Sequence, residues 1–253
     1  MSERLTTGLD DAGILTLRLN RPEKCNAMDT AMVEALLAAL QAADLDAAVN
    51  VVLLRGAGKD FCAGADLAEL LASADRSQEE NAANAGLLGS VFVRMRELPK
   101  PVLAVVEGRA LAGGCGLATA CDMILAHEGA TFGYPEVQRG FVPAMVMAML
   151  RRAVGERIAF DLVATGRLLT AAEAARVGLV ARVIEAGDFE AAVNEVAGRL
   201  ASSSSTALAL IKKQLYELDG RSFADGIRLG TEVNALARST PDFKQSVAQF
   251  LKQ

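Results

Sequence analysis

Apolar and polar positions along the chain follow two periods, and each change of period marks a change of element. Ile14-Leu15-Thr16-Leu17-Arg18-Leu19 alternates as a half-buried strand does and stops at the turn Asn20-Arg21-Pro22. Asp29 then stands as N-cap of an amphipathic helix whose stripe is Met32, Val33, Leu36, Leu37 and Leu40. Val51-Val52-Leu53-Leu54 and Pro101 to Val106 are apolar runs of strand length. Between them Ser77-x-x-Glu80 forms a capping box, opening a helix that runs to about Leu98 before Pro99 and Pro101 stop it. Leu117-Ala118-Thr119-Ala120 reads as a short buried helix. Asp122 to Ala126 and Ala130 to Gly133 read as strands around a His127-Glu128-Gly129 turn. Strands separated by helices predict parallel pairing through crossovers, hence an α/β class.

Further along, the apolar run Ala144 to Leu150 followed by Arg151-Arg152 predicts a helix with basic residues in its last turn. A second capping box, Thr170 to Glu173, precedes a late strand at Val180 to Ile184. From Phe189 onward the pattern is helical: Phe189 to Leu200, Thr206 to Leu218, Phe223 to Ala237, and a last helix opened by Thr240-Pro241. Ser202 to Ser205 is a polar break between helices, too short to link independent domains. The composition therefore shifts from mixed strand and helix to all helix near residue 185, and no fixed-period repeat is visible.

An apolar fraction of 52% over 253 residues supports one enzyme-sized unit with a sizeable core. The net charge of −5 argues against a nucleic acid as main partner, since phosphate contacts need clustered Lys and Arg. Cys25, Cys62, Cys115 and Cys121 are widely spaced and His127 is the one histidine, so no metal site is expected. The N-terminus shows no signal peptide, and the longest apolar stretch is too short to cross a bilayer. A cytoplasmic protein with reduced thiols, binding no membrane, is the expectation.

Two stretches concentrate glycine where chemistry would need it. Gly108 to Gly116, reading Gly-Arg-Ala-Leu-Ala-Gly-Gly-Cys-Gly, joins an apolar strand to a small-residue helix. Lys59 to Leu67, reading Lys-Asp-Phe-Cys-Ala-Gly-Ala-Asp-Leu, follows another strand and leads to a helix that Asp66 would cap. Glycines at such junctions allow close approach to the backbone, and a helix start offers unpaired N–H groups to an oxygen gaining negative charge. Taken alone, either loop is equally a tight turn that only permits close packing.

In this order and separation the two loops resemble those of the crotonase (enoyl-CoA hydratase/isomerase) superfamily. The resemblance spans nearly the whole chain and is strongest from Lys59 to Pro143. It implies a superhelix of repeated ββα units over residues 1–187, carrying the CoA and active site, and a C-terminal helical trimerisation region over 188–253. It further implies a homotrimer or a dimer of trimers, with an acyl-CoA thioester as partner and coenzyme A present only as part of the substrate. The amides of Ala65 and Gly113 would form the oxyanion hole for the thioester oxygen. Glu136, in the Pro-Glu-Val-x-x-Gly-x-x-Pro segment ending at Pro143, would be the general acid/base. Pro135 and Gly114 would flank the substrate, and Lys24, Ala27, Ala63, Asp66 and Leu67 would lie along the CoA. Asp66 is equally readable as a helix cap, and Lys24, like Lys59, as a solvated lysine. Phe250 and Lys252 resemble residues that reach a neighbouring subunit's CoA, although the lysine spacing differs by one.

The chain departs from the family pattern at Gly116, where many hydratases carry a second glutamate that helps to hold the attacking water. Three readings follow: a hydratase working with one carboxylate, a single-base enoyl-CoA isomerase, or an inert acyl-CoA-binding member. Ala144 to Met147 also replaces common glycines with bulkier residues that would reshape the acyl pocket or fill core. His127, Cys62 and Cys115 have no partner motif in their own segments and are read as structural.

Overall fold

The structure, a computed structural model, describes residues 3–252. Its logic is a winding unit of strand, short second strand and helix, repeated four times. The first turn holds β1 (Leu5–Leu9), β2 (Ile14–Leu19) and α1 (Thr30–Leu45). The second holds β3 (Val51–Gly56), α2 (Leu67–Ala72) and α3 (Gln78–Glu97). The third holds β4 (Val102–Val106), β5 (Arg109–Leu111) and α4 (Gly113–Ala120). The fourth holds β6 (Met123–His127), β7 (Thr131–Gly133), α5 (Met147–Val154) and α6 (Glu156–Thr165), after which β8 (Leu168–Thr170), α7 (Ala171–Arg176) and β9 (Arg182–Ile184) close the spiral. Four helices follow: α8 (Phe189–Ala201), α9 (Ser205–Glu217), α10 (Phe223–Ser239) and α11 (Pro241–Phe250).

Each turn contributes to two sheets. The larger has the order β1-β2-β3-β4-β6-β9, parallel from β2 onward, and the smaller has the order β5-β7-β8. Isolated parallel bridges, Met28 to Ala65 and Cys62 to Ala110, continue the smaller layer through the first two turns. The sheet's central strands are buried on both faces, which is why they read as unbroken apolar runs. Val52, Leu54, Ala104 and Val106 join the core with α1, α3 and α4, while the alternate residues Val51, Leu53, Leu103 and Val105 meet Phe189, Val193 and Val196 of α8. Residue 187 precedes α8, yet by packing α8 belongs to the sheet. The helices that stand apart are α9–α11.

Several expectations change. β1, not visible in the pattern, is an edge strand paired antiparallel with β2 and buried only at Leu5; an edge has no need of alternation. The glycine stretch contains strand β5, and the helix placed at Leu117 begins at Gly113, so Gly113, Gly114 and Gly116 lie inside it. Short strands stabilised by neighbours from other turns carry little local signal. His127 ends β6 rather than sitting in the turn; its Nδ1 accepts from the Gly129 N–H at 3.0 Å and its ring meets Phe189 edge-on. The helix expected from Ala144 begins at Met147, and α6 and β8 appear where no element was expected. The pairing of β7 with β8 is antiparallel. Both capping boxes form, at Ser77 with Glu80 and at Thr170 with Glu173. Among the described residues no helix is long and apolar enough to cross a membrane.

Candidate active site

The winding places the two glycine loops side by side. A Cβ on Gly64 (φ +104°) would lie 2.9 Å from Ala112 Cβ and 3.3 Å from the Gly113 nitrogen. One on Gly113 would lie 3.8 Å from the Ala65 nitrogen and 3.4 Å from Met28 Cε. The loops can meet this closely because both positions lack side chains. Gly108 (φ +59°) serves the same end, since a Cβ there would fall 1.9 Å from the Lys59 carbonyl oxygen.

Backbone geometry decides what the two N–H groups do. In the parallel bridge at Met28, the Met28 N–H donates to Gly64 O and the Asp66 N–H to Met28 O. The N–H of Ala65 therefore points away from Met28, to the other side of its segment. Gly113 is the first residue of α4, so its N–H is one of the helix's orphan donors. Ala112 before it holds φ 50° and ψ −130°, an uncommon conformation for a residue with a Cβ, fixed by its N–H donating to Gly133 O at 2.8 Å. Among the described residues no acceptor takes the N–H of Ala65 or Gly113.

Glu136 sits in a 3-10 turn, Pro135–Arg139, closed by Gly140 in the left-handed region. Although a glutamate, it is 8% exposed, and its Oε2 is buried with no hydrogen-bond partner among the described residues. Burial pushes its carboxyl above the ordinary glutamate value, partly offset by its own backbone N–H. The charge on Glu136 is felt by Cys115, in the first turn of α4, and by Tyr134. Tyr134 is fully buried and shares a 2.8 Å hydrogen bond with Thr119. Burial raises the thiols of Cys62 and Cys115 to about 12, so both are packed fillers at neutral pH.

Beside the loops lies a cavity of about 500 Å³, walled by Met28, Val33, Leu70, Leu88, Phe141 and Met145, with Ala65 and Asp66 at its edge. Gly113 and Glu136 are not on its wall. They adjoin it through Met28, next to Gly113, and Phe141, whose N–H donates to Glu136 O at 3.1 Å. Gly116 packs against Val146: a Cβ on it would lie 2.4 Å from Val146 Cγ2, so valine fills the space beside it.

The remaining predicted residues distribute unevenly. Lys24 is exposed at the end of the turn Pro22–Lys24, and Leu67 is 58% exposed. The Ala63 N–H donates to Cys25 O, and the Ala27 carbonyl accepts from Arg21 Nη1 at 2.7 Å. Asp66 caps α2 and accepts from Arg21, which holds its carboxyl below the usual range. Gly114 is buried where a Cβ would fall 2.3 Å from Cys62 O, so its missing side chain serves the packing of α4 on the neighbouring loop. Pro135 opens the turn that carries Glu136, and Phe250 is 76% exposed at the end of α11.

Sequence reasoning missed the scaffold behind the loops. Asn26, fully buried at φ 56°, accepts from the Arg21 N–H and donates to the carbonyls of Ala57 and Asp60. Arg109 grips Asp60 through Nε and Nη2, and that pairing holds the Asp60 carboxyl below its ordinary value. The signal was a buried-type role for polar residues in Arg21 to Ala27, and burial is not readable from residue type.

Two sheets wound from strand-strand-helix turns, with a glycine loop before the helix in successive turns, are the crotonase fold. The chain belongs to the enoyl-CoA hydratase/isomerase family, whose profile, "Enoyl-CoA hydratase/isomerase", matches residues 10–253. It is 42% identical over 235 residues to a Thermus thermophilus protein named "Putative enoyl-CoA hydratase", covering 93% of each chain. It is 32% identical over 241 residues to the 2,3-dehydroadipyl-CoA hydratase of Escherichia coli, covering 95% of this chain and 92% of that one. The crystal structure of an enoyl-CoA hydratase from Mycobacterium smegmatis superposes with a TM-score of 0.95 at 30% identity, over 99% of this chain and 97% of the other.

Proposed function

We propose that the protein adds water across the double bond of a 2-enoyl-CoA, with Ala65 and Gly113 holding the thioester oxygen and Glu136 moving the proton. The observation that carries this reading is the buried Oε2 of Glu136, an acceptor left unsatisfied within the fold. A carboxyl raised by burial holds a proton more readily than a free glutamate, which suits a group that must both take one and return it. In the forward step the oxygen of water bonds to the β carbon while Glu136 takes its proton. The electron pair of the double bond moves onto the thioester oxygen, which the two main-chain N–H groups receive. Collapse of the enolate draws the same proton from Glu136 to the α carbon, so one H and one OH are added and the carboxylate is regenerated. Each backbone donor of this kind supplies about 2.7–4 kcal/mol of transition-state stabilisation. Lys24, Ala27, Ala63, Asp66 and Leu67 would lie along the CoA, and the enzyme would work in the cytoplasm as a trimer or hexamer.

A second reading, a Δ-isomerase that moves one proton between the α and γ carbons, is favoured by the Gly116 contact. With glycine at 116 and Val146 against it, no carboxylate stands at the position where many hydratases carry the second glutamate, which leaves Glu136 as the single proposed acid/base. Two assays separate the readings. Hydration removes the conjugated enoyl-thioester absorbance of crotonyl-CoA, whereas isomerisation creates it from a 3-enoyl-CoA. An inert binding protein does neither, and that result would end both proposals.

A further inference from the structure

Arg21 lies outside the two glycine loops, yet its guanidinium is buried and joined to the starts of α1 and α2, two of the three helices that border the cavity. It is 7% exposed. Nη2 donates to Asp66 Oδ2 at 2.9 Å, Nη1 lies 3.4 Å from Asp29 Oδ2, and Nη1 also donates to the Ala27 carbonyl at 2.7 Å. Each carboxylate divides its oxygens in the same way. Asp29 Oδ1 caps α1 by accepting from Met32 N, and its Oδ2 faces Arg21 and Arg4. Asp66 Oδ1 caps α2 by accepting from Ala68 N, and its Oδ2 takes Arg21. One planar fork thus ties two helix starts together, and between them runs the Met28 to Ala65 bridge that sets the direction of the Ala65 N–H.

We propose that Arg21 is a positioning residue for the Ala65 oxyanion donor, acting through Asp66 and the Met28 bridge without touching the substrate. The inference rests on the reading of Ala65 as a hole donor. Its geometric basis is sequence adjacency: Asp66 follows Ala65, and the Asp66 N–H makes one of the two bonds of the bridge. Asp66 is therefore held at its backbone by Met28 and at its side chain by Arg21. Without the fork, the two bonds of the bridge, Met28 N–H to Gly64 O and Asp66 N–H to Met28 O, would have to orient the peptides on either side of Ala65 alone. The Nε of Arg21 is buried and finds no acceptor among the described residues, so the guanidinium is turned for its two carboxylates and not for complete satisfaction. A lysine would keep the charge and reach one carboxylate, but it could not span both.

The test compares Arg21→Lys, Arg21→Met and Asp66→Asn with the natural chain, using melting curves to confirm folding. Steady-state kinetics would use crotonyl-CoA and a 3-enoyl-CoA. The carbonyl stretch of bound, ¹³C-labelled butyryl-CoA, which is saturated and cannot turn over, reports the hydrogen bonds on the thioester oxygen directly. A donor tilted but not removed should lower kcat about 10- to 100-fold, less than outright loss of a donor. For the Arg21 variants KM should stay within about threefold, because an interaction formed mainly in the transition state is lost from kcat; Asp66→Asn, at a residue placed along the CoA, is read by kcat and the carbonyl stretch alone. The infrared downshift of the bound carbonyl should shrink in the same variants, and the Arg21→Lys/Asp66→Asn pair should be no worse than the poorer single variant. If Arg21→Met does not fold, Arg21→Lys and Asp66→Asn carry the test. A folded Arg21→Lys with natural kcat and an unmoved carbonyl stretch overturns the positioning role while leaving the proposed reaction intact. A natural chain that turns over neither thioester, but whose carbonyl shift still depends on Arg21, overturns the reaction and upholds the positioning.

Discussion

The spiral and the three helices that follow α8 are built on opposite principles. Around the large sheet the buried residues are almost all apolar, and α8 alone presents Phe189, Val193, Val196 and Ala197 to it. In α9 the one buried residue is a lysine, and in α10 it is Leu229. Lys212 donates to the carbonyls of Met95 and Lys100 and pairs with Asp122 at 2.7 Å. Tyr216, one turn on, donates to Asp122 Oδ1 at 2.6 Å, and Arg96 lies 4.1 Å over its ring. Meanwhile Ile211, Leu215, Phe223 and Ile227 stay more than half exposed. The sheet layers are held by area removed from water, and the outer helices by a few directed polar contacts, with their apolar faces left for other surfaces. At the loops the two meet, since glycine packing there rests on buried polar contacts of Arg21, Asn26 and Asp60.

Experiments on the two regions should therefore fail differently. The largest effect is expected inside the spiral: Glu136→Gln should lower kcat about 10²- to 10⁴-fold without changing the circular dichroism spectrum. Turnover near the natural rate would remove Glu136 from the chemistry. In the outer helices, Lys212→Met leaves Asp122 without its buried partner and should cost about 3 kcal/mol in denaturant titration. Its exposed neighbour sharpens the contrast, since Ile211→Ser should change stability by no more than about 0.5 kcal/mol while shifting sedimentation toward smaller species. Gly116→Ala drives a methyl group into Val146 and should destabilise by about 1–3 kcal/mol, an effect that Val146→Ala relieves.

Smaller still are the effects of charge. Because burial raises the Glu136 carboxyl, its basic form appears at higher pH than that of a free glutamate, so the acid limb of the kcat/KM profile should be displaced upward from the free-glutamate position. A limb at the position of a free glutamate would contradict the buried environment. Lys24→Ala should raise KM a fewfold, roughly 2–5, with kcat unchanged, and the difference should fade as salt is added.

What could be read from the sequence follows the same division. The glycine loops were legible because only glycine fits them: Gly64 and Gly108 combine positive φ with contacts that leave no room for a Cβ. Asp29, Asp66, Ser77 and Thr170 announced helix starts because caps are local chemistry. β1, β5 and β8 were not legible, since each is a short strand at the edge of its sheet, where one partner strand holds it and no apolar alternation is required. At the site Glu136 was singled out through its segment, whereas the contacts that Arg21 and Asn26 make and the Arg109 clamp on Asp60 were not visible. Their roles depend on neighbours 34 to 49 residues away in the chain.

The valine pressed against Gly116 has an evolutionary consequence. An acidic residue at 116 would collide with Val146 unless that valine shrank or turned at the same time, so acquiring a second carboxylate there by one amino-acid replacement should cost stability. Selection would have to tolerate an impaired intermediate first. A single methyl group thus sets the order in which the two replacements would be tolerated.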